Sequence, residues 1–86
     1  SATPLTQLTA VLDPLREASG AHGDLTDTLR VFLAEHGGHR SSAERLGIHR
    51  QTLRSRIARV EELTGLSMDH ADDRATAWIA LRAIGR

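Results

Sequence analysis

The stretch Ser41-Ser42-Ala43-Glu44-Arg45-Leu46-Gly47-Ile48-His49-Arg50-Gln51-Thr52-Leu53 decides how this chain folds. It reads as two helical segments crossing at a tight turn. Ala43 falls where the segments cross, and a small side chain there lets the backbones approach. Gly47, four residues on, supplies the left-handed conformation that a three- or four-residue turn between crossing helices requires. Leu46, Ile48, Leu53 and Ile57 are spaced to fill the core beneath the turn. Alone, Ala-x-x-x-Gly is a weak signal. Joined to these apolar positions and to the arginines that follow, it is the layout of a helix-turn-helix.

Working outward, the spacing predicts a long helix from about Arg50 to Thr64 with Leu53, Ile57, Val60 and Leu63 as its apolar stripe. Gly65 followed by Leu66 resembles a Schellman stop. The shorter helix before the turn covers about Arg40 to Leu46. Ser41 and Glu44 have capping-box spacing, and His39 is the alternative cap. Upstream, Asp24 is a good N-cap for a helix whose Leu25, Leu29, Phe32 and Leu33 share one face. His36 sits in its last turn and Gly37-Gly38 ends it. Downstream, a final helix is expected from about Asp72 to Ala83, with Trp78, Ile79, Leu81 and Ile84 as packing residues and Asp72-Asp73 favourable to its dipole. Near the start, Thr3 before Pro4 reads as cap and first helical residue, and Pro14 forces a break near Asp13. A second piece reaches about Ser19, and Gly20 to Gly23 forms a loop. Strand signals are scarce. The expectation is an all-α, compact bundle of about five helices containing a helix-turn-helix. Residues 1–23 read as a helical linker or lead-in and residues 24–86 as the domain.

Composition narrows the function. The chain has 86 residues, no cysteine and a formal net charge of zero. Without cysteine there is no disulfide framework and no thiolate metal site. No apolar run approaches a membrane span, and no signal-peptide pattern opens the chain, so a soluble cytoplasmic protein is expected. The zero charge conceals an uneven distribution. Between residues 40 and 59 stand Arg40, Arg45, Arg50, Arg54, Arg56 and Arg59 against Glu44 alone. Such a stripe attracts phosphate whatever the total, because screening limits the reach of distant acids to about 8–10 Å.

At about 100° per residue, the side of the long helix opposite its apolar stripe presents Gln51, Ser55, Ala58 and Glu62. The first three are small or uncharged, which suits a face entering a major groove about 12 Å wide. Arg54 and Arg59 flank that face where phosphate walls would stand. Arg50 lies in the first turn, which usually reaches base edges in a recognition helix. Glu62 would repel phosphate, so the helix is expected to leave the groove before it.

Residues from about Asp24 to Ala83 resemble the C-terminal helix-turn-helix domain of the PucR/CdaR family of bacterial regulators, which includes purine-catabolism and sugar-diacid regulators. The resemblance rests on Leu29-Arg30-Val31-Phe32-Leu33, His36-Gly37-Gly38, Leu46-Gly47-Ile48-His49-Arg50, Thr52-Leu53-Arg54 and the run from Arg56 to Gly65. Asp72-Asp73-Arg74 before a Trp-containing helix completes it. The segment Gly-Ile-His-Arg-x-Thr-Leu-x-x-Arg is also similar to Fis-type nucleoid proteins. The resemblance implies transcriptional control, with double-stranded DNA as partner and a sensory domain N-terminal to this chain. By the Fis-like motif, His49 and Arg50 would approach bases and Thr52 a phosphate. The expected DNA-binding set is Ser41, His49, Arg50, Gln51, Thr52, Arg54, Ser55, Arg56 and Arg59. His39 departs from the family's usual Asn, which weakens a helix start, and Gln51 and Ser55 depart from its usual Asn and Tyr, which bears on the groove contacts.

Operators normally need two such domains, so a homodimer of the full regulator is expected, with Leu5, Leu8 and Leu12 as one candidate surface. Other constellations carry less. His36 and His39, with His49 and His70 as possible neighbours, straddle a Gly-Gly break and lack accompanying ligands, so no metal or cofactor is expected. Ser41, Ser42 and His49 are read as caps and turn residues, not as a nucleophile and its base. No enzyme is expected. The competing reading is a helical protein–protein interaction module using the Arg-rich face and the apolar N-terminal helix.

Overall fold

The computed structural model describes residues 4–18 and 24–85, with the backbone alone at residues 4 and 5. Six helices follow in order: α1 (Pro4–Ala10), α2 (Asp13–Glu17), α3 (Leu25–Ala34), α4 (His39–Leu46), α5 (Arg50–Thr64) and α6 (Ala71–Gly85), with no strand among the described residues. The all-α reading holds, with one helix more than the expected five. The Thr3 cap, the Leu5 side chain and the loop at residues 20–23 lie outside the described residues.

The break near Asp13 falls at Val11 and Leu12, and Pro14 sits in the first turn of α2, where it costs no hydrogen bond. Leu12 and Leu15 then drop into the core at 0% exposure each, and Leu8 packs against it half-buried. This corrects the expectation of an exposed surface at Leu8 and Leu12: α1 packs on α6, and α2 on α3 and α5.

Helix α3 starts as its sequence requires. The Asp24 side chain accepts the Asp27 amide at 2.9 Å, and Leu25, Leu29 and Phe32 are buried. It ends one step earlier than the glycines. His36 itself takes the left-handed conformation, at φ 59°, ahead of Gly37 at 76°. The Gly37 amide then reaches back to the Phe32 carbonyl at 2.9 Å and the His36 amide to that of Leu33 at 3.0 Å. That pair of bonds is a Schellman motif with a histidine in the place usually given to glycine.

The start of α4 differs from expectation. Gly38 is the N-cap residue, without a side-chain cap, and Ser41 lies inside the first turn with its hydroxyl donating to the Gly38 carbonyl at 3.4 Å. No Ser41–Glu44 capping box forms; Glu44 lies 4.0 Å from Arg40 instead. Phe32 meets the His39 ring edge-on, centroids 5.3 Å apart, and Glu35 pairs with Arg45 at 3.0 Å. These contacts set α4 against the end of α3.

In α6 the expected packing residues are only partly right. Leu81 is buried and Ile84 half-buried, but the core side is otherwise made by Ala77 and Ala80, and α6 packs on α1 and α3. Trp78 and Ile79 face outward, 38% and 54% exposed, so Trp78 is no core anchor. Small residues lie inward where helices pack closely. The loop before α6 is held by side chains: Glu61 accepts the Met68 amide at 2.7 Å, Arg74 donates to the Met68 carbonyl at 2.7 Å, and Asp73 accepts the Ser67 amide at 2.9 Å. Asp73 thus serves the loop, where the sequence suggested only a favourable charge for the helix dipole. No described helix is long and apolar enough to cross a membrane.

Candidate nucleic-acid interface

The turn between α4 and α5 is built as its glycine demands. Gly47 stands at φ 69°; the Ile48 amide bonds the Ala43 carbonyl at 3.0 Å and the Gly47 amide that of Glu44 at 3.2 Å. The Schellman motif expected at Gly65 therefore lies here. At Gly65, φ 77°, only the Gly65 amide returns to the helix, to Glu61 at 2.9 Å, while the Leu66 amide goes to the Thr64 hydroxyl at 3.1 Å. That is the simpler left-handed cap, because the Thr64 side chain intercepts the second donor. Ile48 turns inward against the core, His49 is extended at φ −67° and ψ 148°, and α5 begins at Arg50.

Helix α5 divides as its periodicity requires. Leu53, Ile57 and Val60 are buried against the core, and α3 and α4 support them. Gln51, Ser55, Ala58 and Glu62 are exposed on the other side, as are His49, Arg50, Thr52 and Arg54; Arg56 and Arg59 are half-buried. Ser41 is apart from this set, half-buried within α4.

The arginines differ in their partners. Arg59 pairs with Glu62 at 3.3 Å, Arg45 with Glu35 at 3.0 Å, and Arg40 approaches Glu44 at 4.0 Å. Among the described residues no carboxylate pairs with Arg50, Arg54 or Arg56. The pair at Arg59 is exposed and worth at most about 1 kcal/mol, so a phosphate can compete for its guanidinium. Arg45 braces α4 against α3, a role that sequence spacing could not reveal because Glu35 comes from another helix.

Two depressions border the exposed face. One, of about 480 Å³, lies over the turn and brings Arg40, Gly47, His49 and Arg50 together. The other, of about 500 Å³, is lined by Arg54 and Ala58 of α5 with His36, His39, Asp69 and Arg74. Sequence reasoning missed the last four as neighbours of Arg54; the His36–His39 spacing was the one available hint. His49 and His70 line other depressions, so the four histidines do not converge. No group of three or more ligating side chains that could hold a metal occurs among the described residues.

Comparison with known proteins agrees with this geometry. The PucR C-terminal helix-turn-helix domain family matches residues 25–83. An uncharacterized protein in the pkwA 5′ region of Thermomonospora curvata is 37% identical over 71 residues, 83% of this chain and 39% of that protein. The transcriptional activator PmfR of Paenarthrobacter nicotinovorans is 41% identical over 59 residues, 69% of this chain and 13% of its own length. The carbohydrate diacid regulator of Escherichia coli K12 is 36% identical over 61 residues, 71% of this chain and 16% of that protein. This chain thus spans well under half the length of these relatives, and no solved structure gives a significant match. Similarity of this kind supports a DNA-binding role in transcription regulation. The turn at Gly47, the helix that follows it and the match over residues 25–83 together place the chain in the PucR C-terminal helix-turn-helix domain family.

Proposed function

We propose that this chain is the DNA-reading part of a transcription regulator and that α5 lies in the major groove. The observation that carries the reading is the character of its outer face. Gln51, Ser55 and Ala58 are exposed and uncharged, and Arg50 and Arg54 stand beside them without a carboxylate partner among the described residues. Uncharged residues between arginines fit a groove floor between phosphate walls. His49, Arg50, Gln51 and Ser55 would address base edges. Thr52, Arg54, Arg56 and Arg59 would address phosphates, with Ser41 at the margin.

The regulator would act as a homodimer, each α5 taking one half-site, with effector sensing in a part of the protein outside this chain. Names of the regulator relatives support control of transcription.

Titration of duplexes selected from a random pool, repeated across salt concentrations, tests the proposal. Log K should fall linearly with log salt. Arg54→Ala should weaken all duplexes alike and reduce the slope by about one, whereas Arg50→Ala should cost about 1–3 kcal/mol on the selected site and relax its sequence preference. Absence of duplex binding at low salt, even by a chain dimerised through a fused coiled coil, overturns the reading.

A further inference from the structure

Helix α6 carries an apolar stripe that the described fold leaves uncovered. Its inward side is Ala77, Ala80 and Leu81, packed on α1 and α3. Its outward side repeats at helical spacing through Asp72, Ala75, Trp78, Ile79 and Arg82, all exposed. An outward helix face normally carries the charges of the helix. Here charge stands only at the two ends of the stripe, acid in the first turn and base in the last. Among the described residues neither Asp72 nor Arg82 belongs to an ion pair, and the Arg82 guanidinium lies 5.9 Å from the centre of the Trp78 ring.

We propose that a second copy of this chain docks here, the exposed face of α6 against its own copy, antiparallel about a two-fold axis level with residue 77. The stripe is complementary to its own reversal. Turning a copy end for end about residue 77 brings Asp72 to the second copy's Arg82 and the reverse, and sets the small Ala75 against the larger Ile79. The outermost pair is then Ala71 with Ala83, both small and exposed. A two-fold contact makes each pairing twice, so one match of charge becomes two. A parallel arrangement would instead set acid on acid and base on base. The proposal rests on the reading that two copies share one operator, and it names the surface that joins them.

The test uses the chain without DNA. Sedimentation equilibrium and the emission of Trp78, the one tryptophan in the sequence, should show concentration-dependent association with a blue shift. Ile79→Asp should abolish both signals. Asp72→Arg and Arg82→Asp should each weaken association about tenfold, since each replaces two attractions by two repulsions. An equimolar mixture of those two variants should recover the loss, because only the mixed pair is complementary at both ends. Where a reversal unfolds the chain by circular dichroism, the neutral pair Asp72→Asn with Arg82→Gln should still weaken association. A chain that stays monomeric to about 1 mM overturns the proposal. So does association indifferent to these changes, or a Trp78 shift that only added duplex produces. A chain that binds a half-site duplex yet never self-associates would overturn this docking and leave the DNA reading intact.

Discussion

Of the left-handed residues that flank α4, Gly47 and His36 are of opposite suitability. Gly47 at φ 69° sits where an added Cβ meets nothing within 4 Å, so any cost of substitution there is conformational and not steric crowding. Gly47→Ala should lose about 1–2 kcal/mol, and Gly47→Val more, because β-branching narrows the left-handed region further. His36 at φ 59° already carries that cost. His36→Gly should therefore gain about 0.5–1 kcal/mol after the extra freedom glycine has in the unfolded chain. Urea midpoints at unchanged slope measure both; a wild-type midpoint for Gly47→Val would contradict the turn. Ser42 offers a third case. It is fully buried, and its hydroxyl has no hydrogen-bond partner among the described residues. Ser42→Ala should raise stability by about 1 kcal/mol, and a destabilised variant would mean that the hydroxyl is satisfied after all.

At the level of elements, the loop between α5 and α6 depends on three side chains from the two helices it joins. The Met68 peptide is bonded at both ends, by Glu61 and by Arg74, and Met68 itself is buried. Arg74→Met keeps most of the volume and strands the carbonyl, so it should cost about 1–3 kcal/mol. Faster amide exchange at Ser67 and Met68 should accompany it, and unchanged protection would show that the loop holds without the arginine. This dependence also marks the limit of what was legible in the sequence. Helices α3 and α5 were readable because their apolar residues recur on one side only, and the exposed side of α5 followed directly. Helix α6 was not, since apolar residues surround it and periodicity gives no phase; Trp78 and Ile79 are expected to pack inward, whereas Ala77 and Ala80 hold the core. The cap of α4 failed for a similar reason. Ser41 and Glu44 have the right spacing, but Gly38 opens the helix earlier and leaves Ser41 within its first turn. Of the candidate site, exposure was legible and pairing was not: Glu35 meets Arg45 through tertiary packing, whereas the i,i+3 pair of Arg59 and Glu62 could be foreseen from spacing alone.

For the whole molecule, the family match and the physical core do not share a boundary. The match begins at residue 25, yet Leu12 and Leu15 of the preceding segment are fully buried in the same cluster as Leu29, Leu53 and Val60. Each such leucine contributes about 1.5–3 kcal/mol by leaving water. A domain this small holds only about 5–15 kcal/mol in total. A chain shortened to residues 24–86 would lose both leucines and expose the surfaces of α3, α5 and α6 that α1 and α2 cover. Its midpoint in urea should fall by about half or more, and duplex binding should weaken in parallel, since α5 is held in place by the same core. Replacing Leu12 and Leu15 by alanine in the intact chain separates the two effects. Each substitution should cost about 2–5 kcal/mol while the covering helices remain. If the shortened chain melts like the full one, the first two helices lie on the bundle without supporting it.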